Sequence, residues 1–291
     1  MKIKRIYFFI GICLVAGMYF TKIDSIDKDS LNLIERAREM DLEQKLWPGY
    51  KLSKYPIDVN YGSVEFRYDN GEIIRQKPTL EVLAFTAYPE ENGSVIKVLP
   101  KSMLRQAINI MGDISNKEIE HYYIASLFHE GFHAFQFENS DVFDIEKSQN
   151  ISEEFMNILY ILDHDEKYQN LWLEEERALV DYYKKNDKEA WLIAYNKRTK
   201  YLKEILGDDY DFYMEMENEK ELIEGTAKYI EDKVLDILRG AEKEIESLDL
   251  YQKGLNKFYE RGRLKCLILD KDKAWKENLF NLDITLTDLL L

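Results

Sequence analysis

Two of the four histidines lie four residues apart, at His129 and His133, and Glu130 directly follows the first. If this stretch is helical, residues four apart lie on one face, so both imidazole rings point the same way. Two neutral imidazoles so placed can bind one Zn²⁺ at about 2.0–2.1 Å per nitrogen. A carboxylate beside the first histidine can act as general base towards a water molecule that attacks a carbonyl. The spacing therefore predicts a zinc-dependent hydrolytic site with Glu130 as its catalytic residue.

A catalytic zinc site needs a third protein ligand and one open position. No third histidine follows closely, because residues 134–139 read Ala-Phe-Gln-Phe-Glu-Asn. We therefore expect a carboxylate from a later segment. The predicted helix 209–238 is rich in acids, so composition cannot choose among its glutamates. These are Glu215, Glu217, Glu219, Glu221, Glu224 and Glu231.

The segment 223–231, Ile-Glu-Gly-Thr-Ala-Lys-Tyr-Ile-Glu, resembles the Glu-Gly-x-Ala-x-Tyr segment of gluzincin metallopeptidases. The resemblance implies that Glu224 is the third zinc ligand, beside His129 and His133. The small residues after it would let this helix approach the His-Glu-x-x-His helix closely. Glu221, one turn earlier on the same face, is the alternative ligand.

The same resemblance implies a thermolysin-like core with the motif on a central helix, and a peptidase that acts on peptide or protein substrates. The chain departs from the family in three respects. The offset from His133 to Glu224 is longer than in the best-known members, so the helices of 151–206 would be an insertion. No Gly-x-Met-Glu-Asn segment, the substrate-amine site of aminopeptidases, is present, and Lys228 stands where thermolysin-like members have an aspartate. Endo- or exopeptidase action therefore stays open, as do the partners that orient the histidines.

Other polar residues have simpler interpretations. His121, in a second Glu-x-x-His that begins at Glu118, is predicted on a helix surface or at an interface. The acidic runs 174–176 and 215–221 are predicted to be solvated helix faces. Four side chains are candidates for stabilising the oxyanion, with core packing as the alternative for the tyrosines and solvent exposure for the histidine. They are Tyr210, Tyr213, Tyr259 and His164.

The first twenty residues predict export. Residues 1–5 are cationic, and residues 6–20 carry no charge. As a helix they would span roughly 22 Å, short of the ~30 Å hydrocarbon core, which favours a signal sequence. Cleavage and retention as a membrane anchor both stay open, and the predicted location is extracellular or on the cell surface. Removal of the leader would take Cys13 with it and leave Cys266 unpaired.

Composition excludes several classes. Hydrophobic residues make up 45% of the 291 residues, including 20 Tyr and 14 Phe, so disorder is excluded as the main state. Two cysteines exclude a disulfide framework. The net charge of −15 argues against a nucleic-acid partner, since an acidic body repels phosphate.

The elements that must position the motif indicate an α+β fold, a small mixed β lobe followed by a larger, mostly helical lobe. Residues 21–56 are predicted as a helical segment, capped at Asp29-Ser30 and stopped at Pro48-Gly49. Residues 57–291 form the metallopeptidase-like domain, with a β lobe at 57–100 and a helical lobe at 101–291. The β lobe is predicted to contain two hairpins, 64–68 with 72–75 across the turn at 69–71, and 80–88 with 94–99. Predicted helices are 101–112, 116–138, 151–166, 170–185, 188–206, 209–238 and 241–269, with a short one near 273–280.

A second function class competes with the hydrolase. A surface binding protein could keep a gluzincin scaffold with structural zinc or none. The intact set of His129, Glu130 and His133 favours the enzyme, because a decayed site would be expected to lose one of them. The sequence therefore predicts a zinc metallopeptidase whose substrate it does not define.

Overall fold

The computed structural model describes residues 23–40, 42–79, 85–111, 114–140, 152–242, 244–245, 251–271, 273–277, 279–281 and 284–291. The predicted leader, 1–20, lies outside these residues. Among the helices that the structure describes, none is both long and apolar enough to cross a membrane. The fold is mixed α+β, with a five-stranded sheet followed by a mostly helical region, as the sequence predicts.

Helices dominate the described residues. The strands are β1 (Ile57–Asn60), β2 (Glu65–Asp69), β3 (Glu72–Gln76), β4 (Thr86–Glu90) and β5 (Gly93–Val98). The α-helices are α1 (Lys28–Glu39), α2 (Glu43–Leu46), α3 (Lys101–Met111), α4 (Asn116–Asn139), α5 (Glu153–Leu162), α6 (Glu166–Lys185), α7 (Lys188–Leu206), α8 (Tyr210–Arg239), α9 (Asn256–Leu269) and α10 (Leu286–Leu290). Short 3₁₀ turns occur at Leu52–Lys54, Gly207–Asp209, Lys273–Lys276 and Leu279–Asn281.

The sheet has the strand order β3-β2-β1-β5-β4, and only the β1–β5 pair among these is parallel. The β2–β3 hairpin turns at Asn70 and Gly71, whose φ values are 47° and 86°. Two successive residues in the left-handed region match the right-handed strand twist, which confirms the predicted turn. The central strand β1 was not predicted, because four residues are too short a run to show a period and its partner β5 is distant in sequence.

The described residues divide into two compact units. The first comprises those up to Asn139 together with Ile230–Glu242, so it contains the sheet, α4 and the last turns of α8. The second comprises the described parts of Ser140–Tyr229 and Lys243–Leu291, and its helices surround an aromatic core. That core includes Phe155, Tyr168, Trp172, Tyr213 and Phe258. Helix α8 is continuous and contributes residues to both units.

Several predicted boundaries were wrong. Helix α1 is capped by Asp27, whose carboxylate accepts from the backbone and hydroxyl of Ser30 at 2.9 and 2.7 Å, and not by Asp29-Ser30. Among the described residues of the predicted helix 241–269, helix begins only at Asn256. The predicted helix 151–166 is shorter in the structure, where Ser152 caps α5. The predicted helix 170–185 is longer, because α6 begins after its cap Asp165. Helix caps thus decide the ends that periodicity leaves open.

Candidate metal centre

Helix α4 carries the His-Glu-x-x-His motif and packs against the segment that precedes β1. The hydroxyl of the buried Tyr50 donates to the carbonyl oxygen of Phe128 at 2.8 Å. A Cβ on Gly131 would lie 2.7 Å from the Tyr50 hydroxyl and from Leu52 Cδ1, and 3.1 Å from Ile96 Cδ1. Glycine within the motif therefore lets α4 lie close to both this segment and β5.

The two histidines converge as the spacing predicts. Their Nε2 atoms are 3.2 Å apart, on one turn of α4. Two nitrogens bound at 2.0–2.1 Å to one tetrahedral ion would be about 3.3–3.4 Å apart. The side chains of His129 and His133 are therefore already spaced as two ligands of a single zinc ion.

Each Nδ1 atom has an acceptor on its other side. His129 Nδ1 lies 3.0 Å from a carboxylate oxygen of Glu231, on α8. His133 Nδ1 lies 2.7 Å from the carbonyl oxygen of the Gln136 side chain, one turn further along α4. An ionised carboxylate only accepts hydrogen bonds, so donation from His129 Nδ1 to Glu231 would leave the Nε2 lone pair of a neutral ring directed towards His133. Neither Glu231 nor Gln136 was predicted in this role.

Glu224 completes the cluster. One of its carboxylate oxygens and one ring nitrogen of each histidine lie within 4.8 Å of one another. Glu224 precedes Glu231 by two turns of the continuous helix α8, so both side chains project from the same face. Two imidazoles and one carboxylate form a donor set that suits catalytic zinc with one position left for water.

Glu130 follows His129 on α4 and is partly exposed. Its charge is one of the influences that hold the pKa of Tyr50 well above the ordinary value, after burial and Tyr55. Glu130 therefore lies on the same turn of α4 as His129, the first residue of the cluster.

The alternative ligand Glu221 has a different environment. It is 1% exposed and forms a buried ion pair with Lys265 of α9, and its second carboxylate oxygen lies 3.7 Å from Arg261 Nε. Burial raises the pKa of Glu221, and the charges of Lys265 and Arg261 that face this carboxylate oppose that effect. The structure therefore brings Glu224, and not Glu221, to the histidines.

Gly225, the first small residue after Glu224, serves a contact other than the predicted one. A Cβ on Gly225 would lie 2.4 Å from Gly262 Cα, and a Cβ on Gly262 would lie 2.2 Å from the carbonyl oxygen of Glu221. Gly225 therefore allows α8 to cross α9 at backbone distance. The prediction that it serves the approach to the motif helix was wrong, because glycine spacing does not identify the partner helix.

The prediction of solvated acidic faces holds for Glu174 and Glu215, which are exposed, but it was wrong for other glutamates of the two runs. Glu175 and Glu217 are buried, and Arg198 binds both, Glu175 through Nε and Glu217 through two hydrogen bonds of 2.9 and 2.6 Å. Arg261 lies 3.3 Å from Glu217 and 3.5 Å from Glu175, and its guanidinium sits 3.2 Å from the ring centre of Trp172. Arginines of other helices supply the partners, so no local pattern within either acidic run reveals this burial.

The candidates for an oxyanion donor are spread over the second unit. Tyr213 is fully buried and shares a hydroxyl hydrogen bond of 2.8 Å with Tyr168, and Tyr210 packs against the same core. The structure assigns both to packing. His164 is exposed at the end of α5, as predicted, and Tyr259 is a partly buried residue of α9.

His121 is 3% exposed, so its predicted place on a helix surface was wrong. Burial lowers the pKa of His121, and the charges of Lys117, Arg239 and Arg36 lower it further against the opposing effect of Glu118. A neutral, buried imidazole is a packing residue of α4.

No protein-family model, curated protein or solved structure matches this chain. The function therefore has to be argued from the side chains and their geometry.

Proposed function

We propose that this protein is a gluzincin-type zinc metallopeptidase. The observation that carries the proposal is the meeting of His129, His133 and Glu224, with Glu130 next to the first histidine. The motif is on α4 and the third donor is on α8, at the positions that the resemblance implies. Nitrogen, nitrogen and carboxylate oxygen form the ligand set of hydrolytic zinc sites.

Zinc bound by these three residues would supply Lewis acidity and lower the pKa of a coordinated water towards ~7. Glu130 is the general base that takes a proton from the attacking water. The same carboxyl group then delivers that proton to the leaving amine, so the base is restored at the end of the cycle. His129, His133 and Glu224 hold their positions throughout, because their helices are anchored elsewhere in the chain.

The arrangement of elements supports a thermolysin-like core. A five-stranded sheet precedes and packs against the motif helix, and the third donor follows on a long helix. Helices α5, α6 and α7 occupy the stretch of 151–206, which the resemblance treats as an insertion. We propose export through the N-terminal hydrophobic segment and a peptide or protein as the substrate.

The test uses the full chain and measures bound metal together with cleavage of a peptide library. We expect about one zinc per chain, lost in His133→Ala and kept in Glu130→Gln. Turnover should fall about 10²–10⁴-fold in Glu130→Gln, the contribution of a positioned general base. A fully active, zinc-replete Glu130→Gln variant would refute the mechanism. Zinc-bound protein that cleaves no peptide would favour the binding protein on a gluzincin scaffold.

A further inference from the structure

We infer that Glu231 and Gln136 are the positioning residues of this zinc site, each fixing one histidine so that both Nε2 atoms face a single point. The inference rests on the proposed metal site. It adds two residues that neither the motif nor the resemblance identifies.

Glu231 determines the tautomer of His129. Its carboxylate lies 3.0 Å from Nδ1, and the residue is 8% exposed, so water competes little for this hydrogen bond. A carboxylate offers no proton, which excludes the tautomer with a bare Nδ1. The negative charge also strengthens the Nδ1–H bond and makes Nε2 a better donor to a metal.

Gln136 orients the ring of His133 in the same way but carries no charge. Its carbonyl oxygen lies 2.7 Å from Nδ1, and the residue is 1% exposed. An amide has both an acceptor and donors, so Gln136 favours one tautomer by orientation and does not exclude the other. A neutral partner also avoids adding a fourth carboxylate to a site that already contains Glu130, Glu224 and Glu231.

The distance between the Nε2 atoms of His129 and His133 supports this assignment. Once both protons are on Nδ1, two lone pairs face each other across the 3.2 Å between the Nε2 atoms. Such an arrangement repels unless a cation binds both nitrogens. The hydrogen bonds to Glu231 and Gln136 therefore hold the rings ready for a metal ion.

Helix α8 gains a second role from this arrangement. Glu224 and Glu231 are seven residues apart, so two turns of one helix present both the third ligand and the carboxylate that orients the first. Any rotation of α8 would move both together. Orientation of His129 and completion of the ligand set are thus coupled through one element.

The experiment measures histidine tautomers in the metal-free full chain and zinc affinity by competition with a chelator. Long-range ¹H–¹⁵N spectra at mildly alkaline pH should place the proton on Nδ1 of both His129 and His133. Zinc affinity should fall about 10–100-fold in Glu231→Gln, the usual loss for a partner of a metal-bound histidine. Gln136→Glu keeps an acceptor at His133 and should keep the tautomer. Glu215→Gln, an exposed change on the same helix, should match the parent.

A proton on Nε2 of His129 in the parent protein would overturn the inference, as would parent-like zinc affinity in Glu231→Gln. The tautomer measurement needs no variant, so a misfolded variant does not remove the test. Neither readout depends on turnover. Correct tautomers in a zinc-binding protein without peptidase activity would contradict the proposed function and leave the positioning roles intact.

Discussion

Helix α8 carries two pairs of glutamates in different environments. Glu217 and Glu221, in its first half, are buried against arginine and lysine side chains of neighbouring helices. Glu224 and Glu231, further along the helix, lie with the two imidazoles of the motif. Both pairs share a residue type and a helix. Their roles are decided by what faces them.

The nature of the facing group explains the difference. A buried carboxylate next to guanidinium or ammonium groups is held by ion pairs and hydrogen bonds to those cations. A carboxylate next to neutral imidazoles keeps its negative charge for a metal ion or for an Nδ1–H group. The first pair therefore forms ion pairs with neighbouring helices, and the second pair lies where the proposed metal ion would bind.

Removing Glu217 should produce the largest loss of stability. Glu217→Ala removes one of the two carboxylates that Arg198 and Arg261 both contact, and it leaves the two buried guanidinium groups sharing Glu175 alone. Breaking a buried ion pair costs about 3–5 kcal/mol. Urea unfolding should show this decrease, whereas Glu215→Ala, at an exposed position of α8, should change the free energy of unfolding by less than about 0.5 kcal/mol. Equal losses in the two variants would contradict the assigned difference.

Glu224→Ala should have the opposite profile to Glu221→Gln. Zinc affinity should fall by more than ~100-fold in Glu224→Ala, since even the outer partners of metal ligands contribute up to that factor. Glu221→Gln removes the charge that pairs with Lys265, so it should lower stability and keep zinc. Elemental analysis and urea unfolding in the presence of a chelator measure both quantities. Retention of one zinc per chain in Glu224→Ala would move the third ligand elsewhere.

The crossing of α8 and α9 involves Glu221 and Gly225 of α8 and can be tested at Gly262. Gly262→Ala places a Cβ 2.2 Å from the backbone oxygen of Glu221, so the helices must separate. Overpacking of this kind costs about 1–3 kcal/mol. Thermal unfolding should show the loss. Gly240→Ala serves as a control with a strained φ of 71° and no neighbouring atom within 4 Å. A cost no greater than that of the control would show that α8 and α9 are not so close.

The smallest expected effect is a change in the acid dependence of stability. Burial acts to raise the pKa of Glu217, but the charges of Arg198 and Arg261 outweigh it and hold the pKa below 4.5. Such a group stabilises the fold above its unfolded pKa, and this contribution is lost as the pH falls through the folded pKa. Stability of the parent should therefore decrease below a pH of ~4.5. Glu217→Gln should show a shallower decrease in urea unfolding over a pH series, and an unchanged slope would contradict the assignment.

Much of the local structure could be predicted. Helices α4, α7 and α8 match their predicted ranges to within one residue at each end, and the turn at Asn70-Gly71 is where the sequence predicts it. These features have signals within a short window of sequence. Strand β1 and the start of α9 have no such signal, since β1 depends on pairing with β5 and α9 begins after Leu255 without a side-chain cap.

The metal-binding candidates also divide into those that a short stretch of sequence predicts and those that depend on contacts between distant residues. Spacing alone predicts that His129 and His133 share a face, because an α-helix repeats every 3.6 residues. The sequence offers Glu224 and Glu221 as third ligands, and only the packing of Lys265 against Glu221 separates them. Gln136 was within reach of sequence reasoning, as it lies one turn after His133. Glu231 was not, since its contact joins residues 102 positions apart.

Short-range periodicity was enough to predict most of the helices, the β2–β3 hairpin, and the placement of two histidines and Glu130 on one turn of α4. Tertiary structure alone decided which glutamates of α8 meet cations and which meet imidazoles. The two cases differ in how far apart along the sequence the interacting residues lie. Backbone geometry relates residues a few positions apart, whereas the charge that faces a buried carboxylate comes from another helix, and its identity follows only from how the helices pack.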